Sequence, residues 1–151
     1  DLRAAMPGLC LSTDIIAGFP GETQADFEAT LALMAQVRYD SAFMFKYSAR
    51  RGTVAFRDIP DTVSEKEKVR RLESIIDQQN RISKEINATY IGRTLEVLVQ
   101  GDARKGEGMA VGKSDGFKTV VFSRNGVMDN NFVDVEITRT TLRTLTGRVV
   151  Q

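Results

Sequence analysis

The spacing of apolar residues changes once along this chain, at Gly92, and the change narrows the folds open to it. Beyond Gly92 the period becomes two: Leu95, Val97 and Val99 alternate with Glu96, Leu98 and Gln100, and Val133, Val135 and Ile137 with Asp134, Glu136 and Thr138. A period of two marks strands with one buried face. Residues 109–113 and 117–122 read as two more strands, divided by the turn signal Ser114-Asp115-Gly116. Residues 141–150 supply a last one, bent at Gly147. Five short strands within residues 92–151 predict a small five-stranded antiparallel barrel, since closure removes exposed edges. Residues 101–108 form its flexible loop.

Upstream of Gly92 the signals are of two kinds. Residues 61–91 place Val69, Leu72, Ile76, Ile82 and Ile86 at helical spacing in a highly charged background, after Pro60 and a capping box of Ser64 and Glu67. One linker helix of about 25 residues is expected. Gln78-Gln79-Asn80 interrupts its apolar face and argues against a coiled coil. Residues 1–60 read as β–loop–α–β. Residues 11–17 are an apolar run ending in Gly18-Phe19-Pro20-Gly21-Glu22-Thr23, Thr23 caps a helix carrying Phe27, Leu31 and Met34, and residues 42–47 are a second buried strand. Strand, helix and strand favour a parallel βαβ unit. One such unit cannot cover both faces of a sheet, so residues 1–60 are expected to be the last part of a larger α/β domain with an exposed apolar sheet edge. A small α+β domain with a two-stranded sheet is the alternative.

Composition removes several chemistries. The 151 residues contain one cysteine, Cys10, and no histidine. A disulfide framework, a cysteine-built metal site and His-dependent triads are therefore excluded for this chain alone, and neither catalytic residues nor a metal site are assigned. No apolar run approaches the ~20 residues of a membrane span, and no basic-then-apolar leader is present. Residues 92–151 hold 9 basic and 7 acidic side chains, a net +2, against 12 and 13 in residues 1–91. That excess alone is weak evidence for a polyanionic partner.

Three places could carry chemistry. The loop Gly18-Phe19-Pro20-Gly21-Glu22 leaves a parallel strand and enters a helix, where α/β folds bind ligands, although glycine and proline gather in any tight turn of this kind. It is neither a Walker loop nor a dinucleotide fingerprint. Tyr47-Ser48-Ala49-Arg50-Arg51-Gly52-Thr53 ends the next strand, and its arginines suit a carboxylate or phosphate as well as they suit solvent. Both loops should open on the same side of the sheet. On the barrel, Arg104, Lys105, Lys113, Lys118, Arg124, Arg139 and Arg143 form a candidate RNA-binding set, with a solvated surface as the alternative. Its aromatics Phe117, Phe122 and Phe132 could all be core, so little base stacking is expected.

Read together, these residues resemble the radical S-adenosylmethionine methylthiotransferases. Ser12-Thr13-Asp14-Ile15-Ile16-Ala17-Gly18-Phe19-Pro20-Gly21-Glu22-Thr23 is similar to the family's strand-and-loop signature, and Phe45-Lys46-Tyr47-Ser48-Ala49-Arg50-Arg51-Gly52-Thr53 to its next landmark. Lys68-Val69-Arg70-Arg71-Leu72 resembles its linker. Gly92-Arg93-Thr94, Gly112-Lys113, Val120-Val121-Phe122 and Val133-Asp134-Val135-Glu136-Ile137-Thr138 resemble its C-terminal TRAM domain. Arg51 departs from the family, where proline is usual.

The resemblance implies an α/β plus all-β architecture. Residues 1–60 would be the C-terminal part of a radical-SAM partial TIM-type barrel, 61–91 a linker helix, and 92–151 an OB-like TRAM barrel. It implies a cytoplasmic enzyme using S-adenosylmethionine and two [4Fe-4S] clusters, none of whose cysteines is in this chain. The fragment itself is thus expected to be inactive and to bind no cofactor. Asp14, Gly18, Phe19, Pro20, Gly21, Glu22, Tyr47, Ser48 and Arg50 are implied to lie around the S-adenosylmethionine pocket. The tRNA-modifying branch is favoured, with the anticodon stem-loop as partner and C2 of N6-isopentenyladenosine as the modified atom. A branch that modifies a ribosomal-protein aspartate and a stand-alone RNA-binding module are the alternatives.

Overall fold

A computed structural model describes residues 2–150, which fall into two compact units: Leu11–Ile82, and Ser83 onward together with the residues up to Cys10. In the first unit β1 (Ser12–Ala17) and β2 (Ser41–Lys46) pair in parallel, with Ser12 opposite Ser41 and Ala17 opposite Lys46. The crossover helix α2 (Gln24–Val37) starts at Thr23, whose hydroxyl accepts the Asp26 N–H while the Asp26 carboxylate accepts the Thr23 N–H at 2.9 Å. It ends on Arg38 in the left-handed region. Short helices α1 (Leu2–Ala5) and α3 (Val54–Asp58) had no clear signal in the sequence.

Helix α4 spans Glu65–Ala88. Its capping box is only half formed. Ser64 accepts the Glu67 N–H at 3.2 Å, but the Glu67 carboxylate turns to Arg70 and Arg71. The buried stripe also differs in phase from the expected one: Lys68, Arg71, Ile75, Gln79 and Ile82 are inside, whereas Val69 is exposed. Two cations occupy that face because carboxylates meet them there. Gln78 and Gln79 donate to the carbonyls of Leu31 and Tyr39, so the polar interruption ties α4 to its own unit. One sheet face packs Ala17, Ile15 and Met44 against Phe27, Met34 and Ile75. On the other face Ile16, Phe43 and Phe45 are exposed. A single βαβ unit is present among the described residues, not a (β/α) barrel.

The second unit is a closed barrel of β3 (Thr94–Asp102), β4 (Met109–Ser114), β5 (Thr119–Ser123), β6 (Phe132–Thr140) and β7 (Thr144–Val149), in the order β3-β4-β5-β7-β6. It is mixed, not antiparallel: β5 and β7 run parallel and the other four pairings are antiparallel. The correction follows from counting. Directions cannot alternate all the way round a ring with an odd number of strands, so at least one pair must be parallel. Val97, Val99, Val120, Phe122, Val135, Ile137 and Leu145 fill the interior.

Two glycines shape the barrel in parallel ways. Gly112 sits opposite Val99 and Gly147 opposite Ile137, and the register of β3 and of β6 shifts immediately after those partners. A Cβ on Gly112 would collide with the Leu98 carbonyl, and one on Gly147 with the Glu136 carbonyl. Both mark bulged corners where strands approach too closely for a side chain.

Candidate nucleic-acid interface and the loops of the α/β unit

The first loop is held mainly by its own side chains. Gly18, in the left-handed region, donates its N–H to Glu22 Oε2 at 2.7 Å, and Glu22 N–H donates to the Phe19 carbonyl. Arg71 Nη1 donates to the same Glu22 Oε2 at 2.7 Å and to the Glu22 carbonyl at 2.9 Å, while its Nε reaches Glu67 at 2.8 Å. The Glu22 and Arg71 side chains are 11% and 6% exposed, so this is a buried ion pair. Burial works against the Arg71 charge, but the hydrogen bonds it donates to Glu22 and Glu67 outweigh it and raise its pKa.

Lys68 occupies the space that Gly18 leaves open: a Cβ on Gly18 would run into the Lys68 methylenes. Its ammonium meets Asp61 at 2.6 Å and Glu65 at 2.9 Å. Glu65 also takes a bond from Lys46 at 2.6 Å. The bonds from Lys46 and then Lys68 hold the Glu65 carboxyl down to about 2, and Arg70 and Arg71 do the same for Glu67.

The two loops do meet. The Phe19 ring packs edge-on against Tyr47 at 5.2 Å, and Tyr47 N–H donates to the Ala17 carbonyl. Tyr47 and Pro20 are buried, while Ser48, Arg50 and Gly21 are exposed. Asp14 lies on the exposed sheet face with Ile16, opposite Phe43. Cys10 is half-buried, with Sγ 3.7 Å from the Tyr90 hydroxyl.

On the barrel, register divides the seven basic candidates between two ends. β3, β5 and β7 start, and β4 and β6 finish, at one rim, which carries Lys113, Lys118, Arg139 and Arg143. Arg104, Lys105 and Arg124 are at the other, among Asp102, Glu107 and Asp129. Arg124 is committed there, with ion pairs to Asp102 at 2.9 Å and Asp129 at 2.6 Å.

The first rim has a second ingredient. Arg93 lies 4.8 Å from the Tyr90 ring centroid and Lys118 5.6 Å from the same ring. Lys113 is 5.6 Å from the ring of Phe117 and donates to Thr119 Oγ1 at 2.9 Å. Arg93 and Tyr90 were absent from the sequence-based candidates. Their three-residue spacing just before the first barrel strand is the signal that could have found them. Cations interleaved with aromatic rings suit phosphate and base together. Of the three phenylalanines, only Phe122 is core; Phe117 is 79% and Phe132 64% exposed.

Residues 88–150 match the family model of the TRAM domain. The chain is 49% identical, over 97% of its length, to the tRNA-2-methylthio-N(6)-dimethylallyladenosine synthase of Chlorobium luteolum, and covers 33% of that relative. The figures are 48%, 99% and 34% for the enzyme of the same name from Chlorobium limicola. For that of Porphyromonas gingivalis they are 45%, 99% and 32%. The chain thus spans about a third of the length of the curated relatives it matches.

Proposed function

We propose that this chain, which matches the TRAM domain model over residues 88–150 and resembles tRNA-2-methylthio-N(6)-dimethylallyladenosine synthases along nearly its whole length, is the tRNA-holding part of a longer enzyme. That enzyme would place a methylthio group on C2 of N6-isopentenyladenosine beside the anticodon. The observation that carries the reading is the barrel rim where Arg93, Lys113 and Lys118 surround Tyr90 and Phe117. The anticodon stem-loop is the partner this rim would bind.

Identity runs through both units, which favours an enzyme over a stand-alone RNA-binding module, and the relatives' names favour the tRNA branch over the ribosomal-protein branch. The exposed face of Ile16, Phe43 and Phe45 supports a βαβ unit that further elements of the longer protein cover, as in a partial (β/α) barrel.

The residues fit the family's cofactors unequally. A [4Fe-4S] cluster needs several thiolates, and the chain has one cysteine; no group of three His, Cys, Asp or Glu among the described residues is placed to hold a metal. The cluster ligands would come from the rest of the protein. Toward S-adenosylmethionine the first loop has little left to offer. Glu22 is bound to Arg71 and Gly18, and Lys68 fills the hollow beside Gly18. Phe19, Ser48 and Arg50 are exposed residues of the two loops left to line a pocket, so this chain's proposed share is to shape it and exclude water, and the fragment alone is proposed to be inactive.

Titration with tRNA at several salt concentrations tests the reading. Affinity should fall with salt, by a slope of about 0.7–0.9 per phosphate neutralised. Replacing Lys113 and Lys118 by alanine should weaken binding and flatten that slope by roughly one to two. Unchanged affinity and slope in a folded double variant would move the RNA face elsewhere.

A further inference from the structure

The β4–β5 hairpin contains a residue in the wrong conformation for its type. Ser114 N–H donates to the Lys118 carbonyl, and Phe117 N–H donates to the Ser114 carbonyl. These two bonds define a three-residue loop: a type I turn followed by one left-handed residue, a place that glycine ordinarily takes. Here glycine comes one position early, at Gly116, and the left-handed position is Phe117, with φ of 60°. A bulky side chain at positive φ is strained.

That strain is not offset by burial. Phe117 is the most exposed large apolar residue among those described. It stands at the basic rim, beside Lys113, whose ammonium also reaches the Phe117 carbonyl at 3.4 Å, and next in sequence to Lys118. The turn's acid, Asp115, accepts the N–H of Gly116. Phe132 offers a contrast. It is also exposed, but it lies on a regular strand at the opposite rim.

We propose that Phe117 is a stacking platform for an unpaired RNA base, held out by its left-handed backbone while Lys113 and Lys118 take the flanking phosphates. The proposal rests on the RNA-binding reading above and adds to it a base-contacting residue. Strained backbone at an exposed aromatic is what a ligand clamp requires, and a ring flanked by cations can stack on any base face. An unpaired base is needed because bases within a duplex do not present their faces. The expected low stacking of the barrel is thereby revised, since Phe117 is not core.

The test uses the full 151-residue chain, an unstructured oligouridine and a blunt RNA duplex. Phe117→Gly relieves the backbone, so its thermal midpoint should hold or rise, while oligouridine affinity falls roughly 5- to 150-fold. Its salt slope should stay as in the wild type, because stacking releases no counterions. Duplex affinity should change little, and Phe132→Ala should bind as the wild type does. The chain has no tryptophan, so Phe117→Trp provides a single reporter whose emission should be quenched by oligouridine along the binding curve. Wild-type affinity in Phe117→Gly, or an unresponsive Phe117→Trp despite binding, would overturn the stacking role while leaving RNA binding standing; the exposed ring would then mark a protein contact. Failure of the wild type to bind either RNA would overturn both readings.

Discussion

Removing the Glu22 carboxylate should unfasten the α/β unit. In the folded chain one oxygen, Glu22 Oε2, accepts both the Gly18 N–H and Arg71 Nη1 at 2.7 Å. In Glu22→Ala the charge-assisted bond, ~1.5–3 kcal/mol, is lost, and the buried Gly18 N–H is left without this acceptor at a cost of about 1–3 kcal/mol. Breaking one side of a buried ion pair typically costs 3–5 kcal/mol. Arg71 keeps Glu67 and the Glu22 carbonyl, so the low end applies, about 3 kcal/mol. Glu22→Gln retains an oxygen for Gly18 but no charge, and about half that loss is expected. Native-state hydrogen exchange read by mass spectrometry in rising urea gives the opening free energy of each unit separately. The loss should be confined to peptides from residues 11–82. A loss below about 1 kcal/mol in Glu22→Ala, or equal loss in the barrel peptides, would refute the clasp and return Glu22 to the candidates for ligand binding.

Acid should weaken the same unit. The carboxyls of Glu65 and Glu67 are held at about 2 by Lys46 and Lys68 and by Arg70 and Arg71, below the ordinary value of 4.5. Their contribution is therefore complete above about pH 4.5 and lost as pH falls from there toward 2. Urea midpoints across that interval should decline, and a flat profile would count against these pairs. In the barrel, Gly112→Ala and Gly147→Ala should each cost about 1–3 kcal/mol through forced displacement of a neighbouring carbonyl. Gly126→Ala, where nothing lies within 4 Å and φ is 81°, should cost only about 1 kcal/mol. Melting the three variants in parallel checks the order, and equal losses would contradict it.

Much of the fold was legible because it is written locally. The change of period at Gly92 separates helix from strands, Thr23 and Asp26 announce α2, and an apolar run on each side of a helix implies parallel pairing. What was missed depends on partners far along the chain. Lys68 and Arg71 looked like surface positions because Asp61 and Glu22, their partners, are fixed only once the loops have folded. The basic set on the barrel looked like one surface because seven residues in sequence order carry no record of register. Only pairing separates Lys113 from Arg124, which lie eleven positions apart in sequence. Phe117 reads as a possible core residue in the sequence because an aromatic beside a turn ordinarily belongs to the next strand's core, as Phe122 does.

The barrel's one parallel pairing has a mechanical consequence. The β3–β4–β5 meander and the β6–β7 hairpin are built from neighbouring residues, so the ring closes through two ladders between distant segments, β3–β6 and β5–β7, and the parallel one is a seam of the ring. Where that seam reaches the basic rim, Thr119 faces Thr144, with Lys118 just before one and Arg143 just before the other. On the RNA-binding reading, a polyanion held by both side chains would tie the two lips of that seam together. Nucleic acid bound there, as proposed above, would fasten the barrel as well as being held by it.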